Sequence, residues 1–291
     1  MSIDRVAVLG GGLMGSGIAE SVARAGVPVV VRDVDAAAVE AARRRIEGSL
    51  GHARERGKID EAEYEEILGR VAFTDRLEEI AGADLVVEAV PENADLKVNI
   101  LGQVAGIVSA DALIASNTSS IPIAQLAAGL ARPDRVLGLH FFSPVPVMRL
   151  VEIVVALDTS EETVAVAQDF AARIGKRAII TKDRSGFVVN MLLVPYLMAA
   201  VRMYEEGFAT AADIDEGMKL GCGHPMGPLT LADFIGLDVL YAIGDSLYEE
   251  FKQTEYAPPP LIKRMVASGR IGRKAGRGFY EYRRERAAAS A

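Results

Sequence analysis

The stretch RVAVLGGGLMGSGIAESVARAG, residues 5–26, constrains the fold more than any other. An apolar run of strand length enters a glycine turn and leaves it with apolar residues at helical spacing, which predicts a strand, a tight turn and a helix. The glycines fit the pattern G-x-G-x-x-G in that context. Gly10 allows the turn, Gly12 lets a pyrophosphate approach the backbone, and Gly15 lets helix and strand pack closely. Leu13 and Met14 lie between Gly12 and Gly15 and belong to the same expected cofactor contact, at a helix end that suits phosphate. The next apolar run, VPVVVRD, ends in Asp33, placed to accept hydrogen bonds from an adenosine ribose. Its charge disfavours a 2′-phosphate, so NAD is expected rather than NADP, a preference that neighbouring Arg32 could soften.

The chain has 291 residues, half of them hydrophobic, enough to bury a full core in roughly two domains. Runs such as FVVNMLLVPYLMAA are broken by Asn or Pro and fall short of the ~20 apolar residues of a membrane span. With an expected first strand from Ile3, no targeting segment is foreseen and a cytoplasmic protein is the simplest expectation. The net charge of −8 argues against a nucleic-acid partner. A single cysteine, Cys222, excludes an intrachain disulfide, and His52, His140 and His224 are too dispersed for metal-ligand spacing, so no metal is expected.

From Asp35 to Gly69 the pattern becomes charged, alanine-rich helix broken near Gly57, an inserted antiparallel pair, before RVAFT resumes the sheet. ADLVVEAV, ALIAS, RVLGLH, RLVEIVVA and RAIITKD read as further strands, with a capping-box pattern from Thr159 to Glu162 opening one intervening helix. The alternation predicts an α/β fold: a Rossmann-type, mostly parallel sheet over residues 1–183 carrying the helical insertion. After Asp183 the strands stop, and residues 184–291 read as an all-α domain with a short alanine-rich tail. Its long apolar helix carries more hydrophobic surface than so small a domain readily covers, which suggests a homodimer through this domain; packing within the domain accounts for the same residues equally well.

In LHFFSPVPVMRLVEIV, residues 139–154, His140 leaves an apolar run and needs partners for both ring nitrogens, with Glu152 the nearest candidate. Read alone, the pair is either a catalytic base with its carboxylate or a capped core histidine. Ser119 and Asn190 read alone as a turn residue and a helix polar group.

Joined to SNTSSIPI, KDRSGFVVNMLLVPYL, DIDEGMKLGCGHPMGPLTLADFIGLD and GRKAGRGFYEY, this stretch resembles the 3-hydroxyacyl-CoA dehydrogenases, particularly the stand-alone bacterial 3-hydroxybutyryl-CoA type, from about residue 3 to 282. The resemblance implies NAD-linked oxidation of (S)-3-hydroxyacyl-CoA by a Rossmann-type domain followed by an α-helical dimerisation domain. It makes His140 the catalytic base and Glu152 its partner, and Ser119 and Asn190 substrate contacts. Glu92 and Lys97 match positions that contact the dinucleotide, and Ser49 and Arg56 match CoA contacts on the insertion. One departure is Ser143, where many members have Asn; it flanks the base rather than supplying it. The segment from Arg43 to Lys58 holds six basic residues against two acidic ones, suited to CoA phosphate or simply a solvated helix face.

Oxidising a secondary alcohol requires the hydroxyl proton to leave as the carbonyl forms, which suits a neutral imidazole, whose ordinary pKa is about 6.5. Two other functions compete. A dehydrogenase of a free hydroxy acid on this fold uses, in the hydroxyisobutyrate type, a helix lysine that GFVVNMLLV lacks. A non-catalytic NAD-binding relative, such as those in lens, has no need of His140 with Glu152.

Overall fold

The computed structural model describes residues 2–282; the alanine-rich tail lies outside them. The chain divides into two compact units, the first ending at Arg184 and the second beginning at Ser185.

The first unit is an eight-stranded sheet flanked by helices. In chain order it comprises β1 (Val6–Leu9), α1 (Leu13–Arg24), β2 (Val29–Arg32), α2 (Ala36–Glu55), α3 (Glu61–Gly69), β3 (Val71–Thr74), β4 (Leu85–Glu88), α4 (Ala94–Ala105), β5 (Leu113–Ser116), α5 (Ile123–Ala127), β6 (Val136–Phe141), β7 (Leu150–Val155), α6 (Glu161–Arg173) and β8 (Arg177–Lys182). The strand order is β3-β2-β1-β4-β5-β6-β7-β8, and only β6 and β7 run antiparallel. Strands β1, β4 and β5 are buried along their whole length, as expected when helices cover both faces of a parallel sheet. The order reverses between β1 and β4, and the crevice beyond the carboxyl ends there is where such sheets bind ligands.

The inserted pair is α2 and α3. Asp35 caps α2, and Asp60 with Glu63 forms a capping box on α3. Buried Ala42, Ile46 and Leu50 form the inward stripe of α2, and they join the core with Ile67 of α3. The expected cap of α6 moves by one residue. Ser160 accepts from the Thr163 amide, whereas the Thr159 hydroxyl donates to the Val136 carbonyl and accepts from the Ala156 amide. Adjacent hydroxyls compete for the cap, and β6 takes the first.

The second unit contains α7 (Val189–Glu205), α8 (Ala211–Cys222), α9 (Pro228–Ile235), α10 (Leu237–Phe251) and α11 (Pro260–Ala267). Val194, Leu197, Met198, Leu229, Leu240 and Leu247 are central to its core. Two fully or nearly buried carboxylates tie its C-terminal segment down. Asp215 accepts from the Tyr280 hydroxyl at 2.9 Å and from the Leu229 and Thr230 amides, and Asp233 accepts from the Tyr282 hydroxyl at 3.0 Å and the Phe279 and Tyr280 amides. Burial pushes the Asp233 carboxyl above the usual range. No helix among the described residues is long and apolar enough to cross a membrane.

Candidate active site

The carboxyl ends of β1, β2, β4, β5 and β6 supply the chemistry-bearing residues of the first unit. At β1 the chain turns through Gly10, whose φ of 88° favours glycine, and enters α1 from Gly12. A side chain at Gly15 would place Cβ 1.8 Å from the Gly10 carbonyl oxygen, whereas at Gly12 it would meet nothing within 4 Å. Gly15 therefore serves the packing of turn against helix, and Gly12 keeps clear the space in front of the helix end. No side chain caps α1 there, so its first amides are left for a ligand, and Leu13 is 73% exposed. Met14 is half-buried against the sheet core.

Asp33 follows β2 with each carboxylate oxygen on a backbone amide: Oδ2 accepts from Gly11 at 2.7 Å and Oδ1 from Val34 at 2.7 Å. This fixes the carboxylate at the turn's flank, with lone pairs left for ribose hydroxyls. Uncapped helix end, clear space at Gly12 and fixed acid together fit a dinucleotide.

Glu88 ends β4 and is wholly buried. It accepts from the Ser116 hydroxyl at 2.5 Å on β5, from Lys97 Nζ at 2.6 Å on α4, and from the Val90 amide. Lys97 is expected at the cofactor, but its side chain is 1% exposed, closed between Glu88 and Glu92 at 2.6 and 3.2 Å. Its Nζ also donates to the Val90 carbonyl at 3.2 Å.

Glu92 in turn clamps the turn after β5. Its Oε1 accepts from the Thr118 hydroxyl at 2.5 Å, the Ser119 amide at 3.1 Å and the Ser120 hydroxyl at 3.2 Å. Burial works to raise the Glu92 pKa, but Lys97 and these donors outweigh it and hold the carboxyl below the usual range.

The clamped turn presents Ser119 to His140. Ser119 Oγ lies 3.0 Å from His140 Nε2, and His140 Nδ1 lies 2.6 Å from Glu152 Oε2. The carboxylate is an acceptor only, so Nδ1 carries the proton of the neutral ring and Nε2 presents its lone pair towards Ser119. His140 is 4% exposed and Glu152 0%, and Phe142 packs edge-on to the imidazole. Asn117 fixes the strand end by accepting from the Phe141 amide at 2.9 Å.

Of the expected residues, Ser119, His140 and Glu152 thus come together, with Glu92 and Lys97 behind them. Asn190 belongs to the second unit, at the first turn of α7, and is buried. Ser49 and Arg56 lie exposed on α2 and at its C-cap. Ser49 lines a cavity of about 210 Å³ together with Leu13, Arg45, Ser143 and Pro144. Four of the six basic residues on this segment have partners: Arg43 and Arg44 pair with Glu40, Arg54 with Glu61, and Arg45 donates to the Gly11 carbonyl at 3.0 Å. His52 is exposed beside Glu55, and His224 meets the Tyr196 hydroxyl within the second unit.

Glu88 and Arg45 are the residues that sequence reasoning misses. The acid ending LVVEAV is the signal for Glu88, since a carboxylate in so apolar a strand needs a buried partner. Arg45 is hidden among its basic neighbours.

The NAD-binding domain of 3-hydroxyacyl-CoA dehydrogenase matches residues 5–184, and the C-terminal domain of the same family matches residues 186–282. A 3-hydroxybutyryl-CoA dehydrogenase of Mycobacterium tuberculosis is 51% identical over 97% of this chain and 99% of its own length. The crystal structure of M. tuberculosis FadB2 superposes with a TM-score of 0.95 at 51% identity, covering 97% of this chain and 100% of that one. That of the (S)-3-hydroxybutyryl-CoA dehydrogenase PaaH1 from Ralstonia eutropha gives 0.91 at 46% identity, covering 97% and 99%. Two successive domain matches span nearly all of the described chain, and it belongs to the 3-hydroxyacyl-CoA dehydrogenase family of NAD-dependent oxidoreductases.

Proposed function

We propose that the chain interconverts (S)-3-hydroxybutyryl-CoA and acetoacetyl-CoA with NAD, using His140 as the base. The observation that carries this reading is the imidazole held by Glu152 on one nitrogen and facing Ser119 with the other. In the oxidative direction His140 Nε2 takes the hydroxyl proton, and Glu152 stabilises the imidazolium that forms. The Ser119 hydroxyl, already beside Nε2, donates to the substrate oxygen and holds it within reach of the base. NAD, when bound, would supply the acceptor for the hydride that leaves the carbon bearing this hydroxyl. The proton taken by His140 then returns to solvent.

In this reading Gly10, Gly12, Leu13, Met14, Gly15 and Asp33 hold the dinucleotide, with Glu92 at its edge and Lys97 fixing Glu92. The acyl-CoA arm lies in the cavity lined by Ser49, with Arg56 reaching a CoA phosphate. Asn190 is a further substrate contact, a role supported by the family match alone. The helical unit forms a homodimer, supported by an apolar groove of about 340 Å³ lined by Tyr196, Ala199, Ala200, Met203, Ile214 and Met218. The cytoplasm suits its lone cysteine.

The test is a rate comparison across acyl-CoA chain lengths with NADH and NADPH. The reading expects acetoacetyl-CoA with NADH to be fastest. Turnover of a free oxo acid at an equal rate would favour the free-acid alternative, and no turnover of any substrate would favour a binding role.

A further inference from the structure

The connection between the two strands that carry the base and its partner is held by a buried lysine from elsewhere in the fold. Lys176, in the turn between α6 and β8, is 8% exposed. Its ammonium donates to the Val145 carbonyl at 2.5 Å and to the Met148 carbonyl at 2.7 Å. The Pro144 carbonyl of the same segment accepts from the Val147 and Met148 amides, so the segment is a compact turn gathered on one cation. Its other side lies on α1, where a side chain at Gly17 would come within 3.0 Å of Val145 Cβ. Glu20, one turn further along α1, is 1% exposed and pairs with Arg24 at 2.8 Å. Burial pushes the Lys176 ammonium's pKa down, and the Glu20 carboxylate opposes that shift.

Ser143, Pro144, Val145 and Pro146 of this turn form one wall of the cavity whose other walls are α1 and the inserted helix α2 with Ser49. The shape of that wall is set by where Val145 and Met148 are held. We propose that Lys176 is a positioning residue for acyl-CoA: it pins the 143–148 turn against α1 and so sets the wall along which the acyl-CoA arm lies. The inference rests on the reading that this cavity takes that arm. Lys176 donates to the 143–148 turn and not to the glycine turn or Asp33, so its loss should divide the two ligands.

The experiment measures the KM for acetoacetyl-CoA, the Kd for NADH and the melting temperature of Lys176→Met, Lys176→Arg and Ser49→Leu. Lys176→Met keeps the stem and removes the charge. It should raise the KM for acetoacetyl-CoA about tenfold or more while the NADH Kd stays within about twofold. Lys176→Arg keeps a cation for both carbonyls and should recover most of the affinity; it carries the test if the Met variant does not fold. A KM unchanged in Lys176→Met, or KM and NADH Kd rising together in both variants, overturns the proposal, because the lysine would then be idle or merely structural. Ser49→Leu separates the two layers: if it leaves the KM unchanged, the cavity does not take the CoA arm. If it raises the KM while Lys176→Met does not, only the role of Lys176 falls.

Discussion

His140 and Glu152 are directly opposed across antiparallel β6 and β7, with Nδ1 2.6 Å from Oε2. The opposition is a property of the sheet. Facing residues of an antiparallel pair point to the same side, so the register that buries Leu139 and Ile153 also brings acid to imidazole. The Glu152→Gln substitution keeps an acceptor but removes the charge that stabilises an imidazolium. Turnover should fall at least ~10²-fold in kcat, with the NADH Kd nearly unchanged. Stopped-flow reduction of acetoacetyl-CoA together with an NADH fluorescence titration checks it.

The glycine turn allows a paired prediction. Gly15→Ala drives Cβ to 1.8 Å from the Gly10 oxygen, and overpacking of this kind costs about 1–3 kcal/mol or more. Its melting temperature should drop. Gly12→Ala meets nothing within 4 Å, so the fold should hold while NADH binding weakens about tenfold or more. Calorimetry of both proteins, without and with NADH, separates the two outcomes.

Glu92 carries a pH prediction. Burial tends to raise its carboxyl pKa, but Lys97 and the Thr118 and Ser119 donors hold it below the usual range. A group depressed in the folded state contributes stability above its unfolded pKa, about 4.3, and that contribution is lost as the pH falls through the folded value. Solvent reaches this side chain, 42% exposed, so the effect is modest. Below about pH 4.3 the melting temperature should fall less steeply in Glu92→Gln than in the parent. The same variant frees the Ser119 turn and should lower kcat at neutral pH.

Arg56 and Lys58 are exposed and, among the described residues, stand outside the ion pairs that engage Arg43, Arg44 and Arg54. The Arg56→Ala change should therefore raise the KM for acetoacetyl-CoA more than that for a truncated pantetheine thioester. Equal effects on both substrates would remove the assignment of a CoA phosphate to this arginine.

The sheet and the insertion were legible because each rests on local pattern: apolar runs of strand length and glycine punctuation. The glycine turn with Asp33 was legible for the same reason, since its spacing encodes its geometry. Register was not. Nothing local says that β7 returns antiparallel, so His140 and Glu152 could be read as neighbours but not as a facing pair. Lys97 shows a second limit. The resemblance sets it beside the dinucleotide, but nothing local shows that it is buried, because its burial depends on Glu88 nine residues earlier on another element. Contacts such as Tyr280 with Asp215, 65 residues apart, depend on tertiary packing alone. The choice of Ser160 over Thr159 as helix cap was settled by a carbonyl on β6.

The measurement that bears most directly on the account is single-turnover reduction of acetoacetyl-CoA by His140→Ala carrying bound NADH. The imidazole lies beyond the residues that fix the glycine turn and Asp33, so NADH should bind with near-parental affinity. The rate should fall by at least ~10²-fold, the scale of one positioned acid–base group. A variant that binds NADH and still turns over at close to the parental rate would place the proton transfer on another residue.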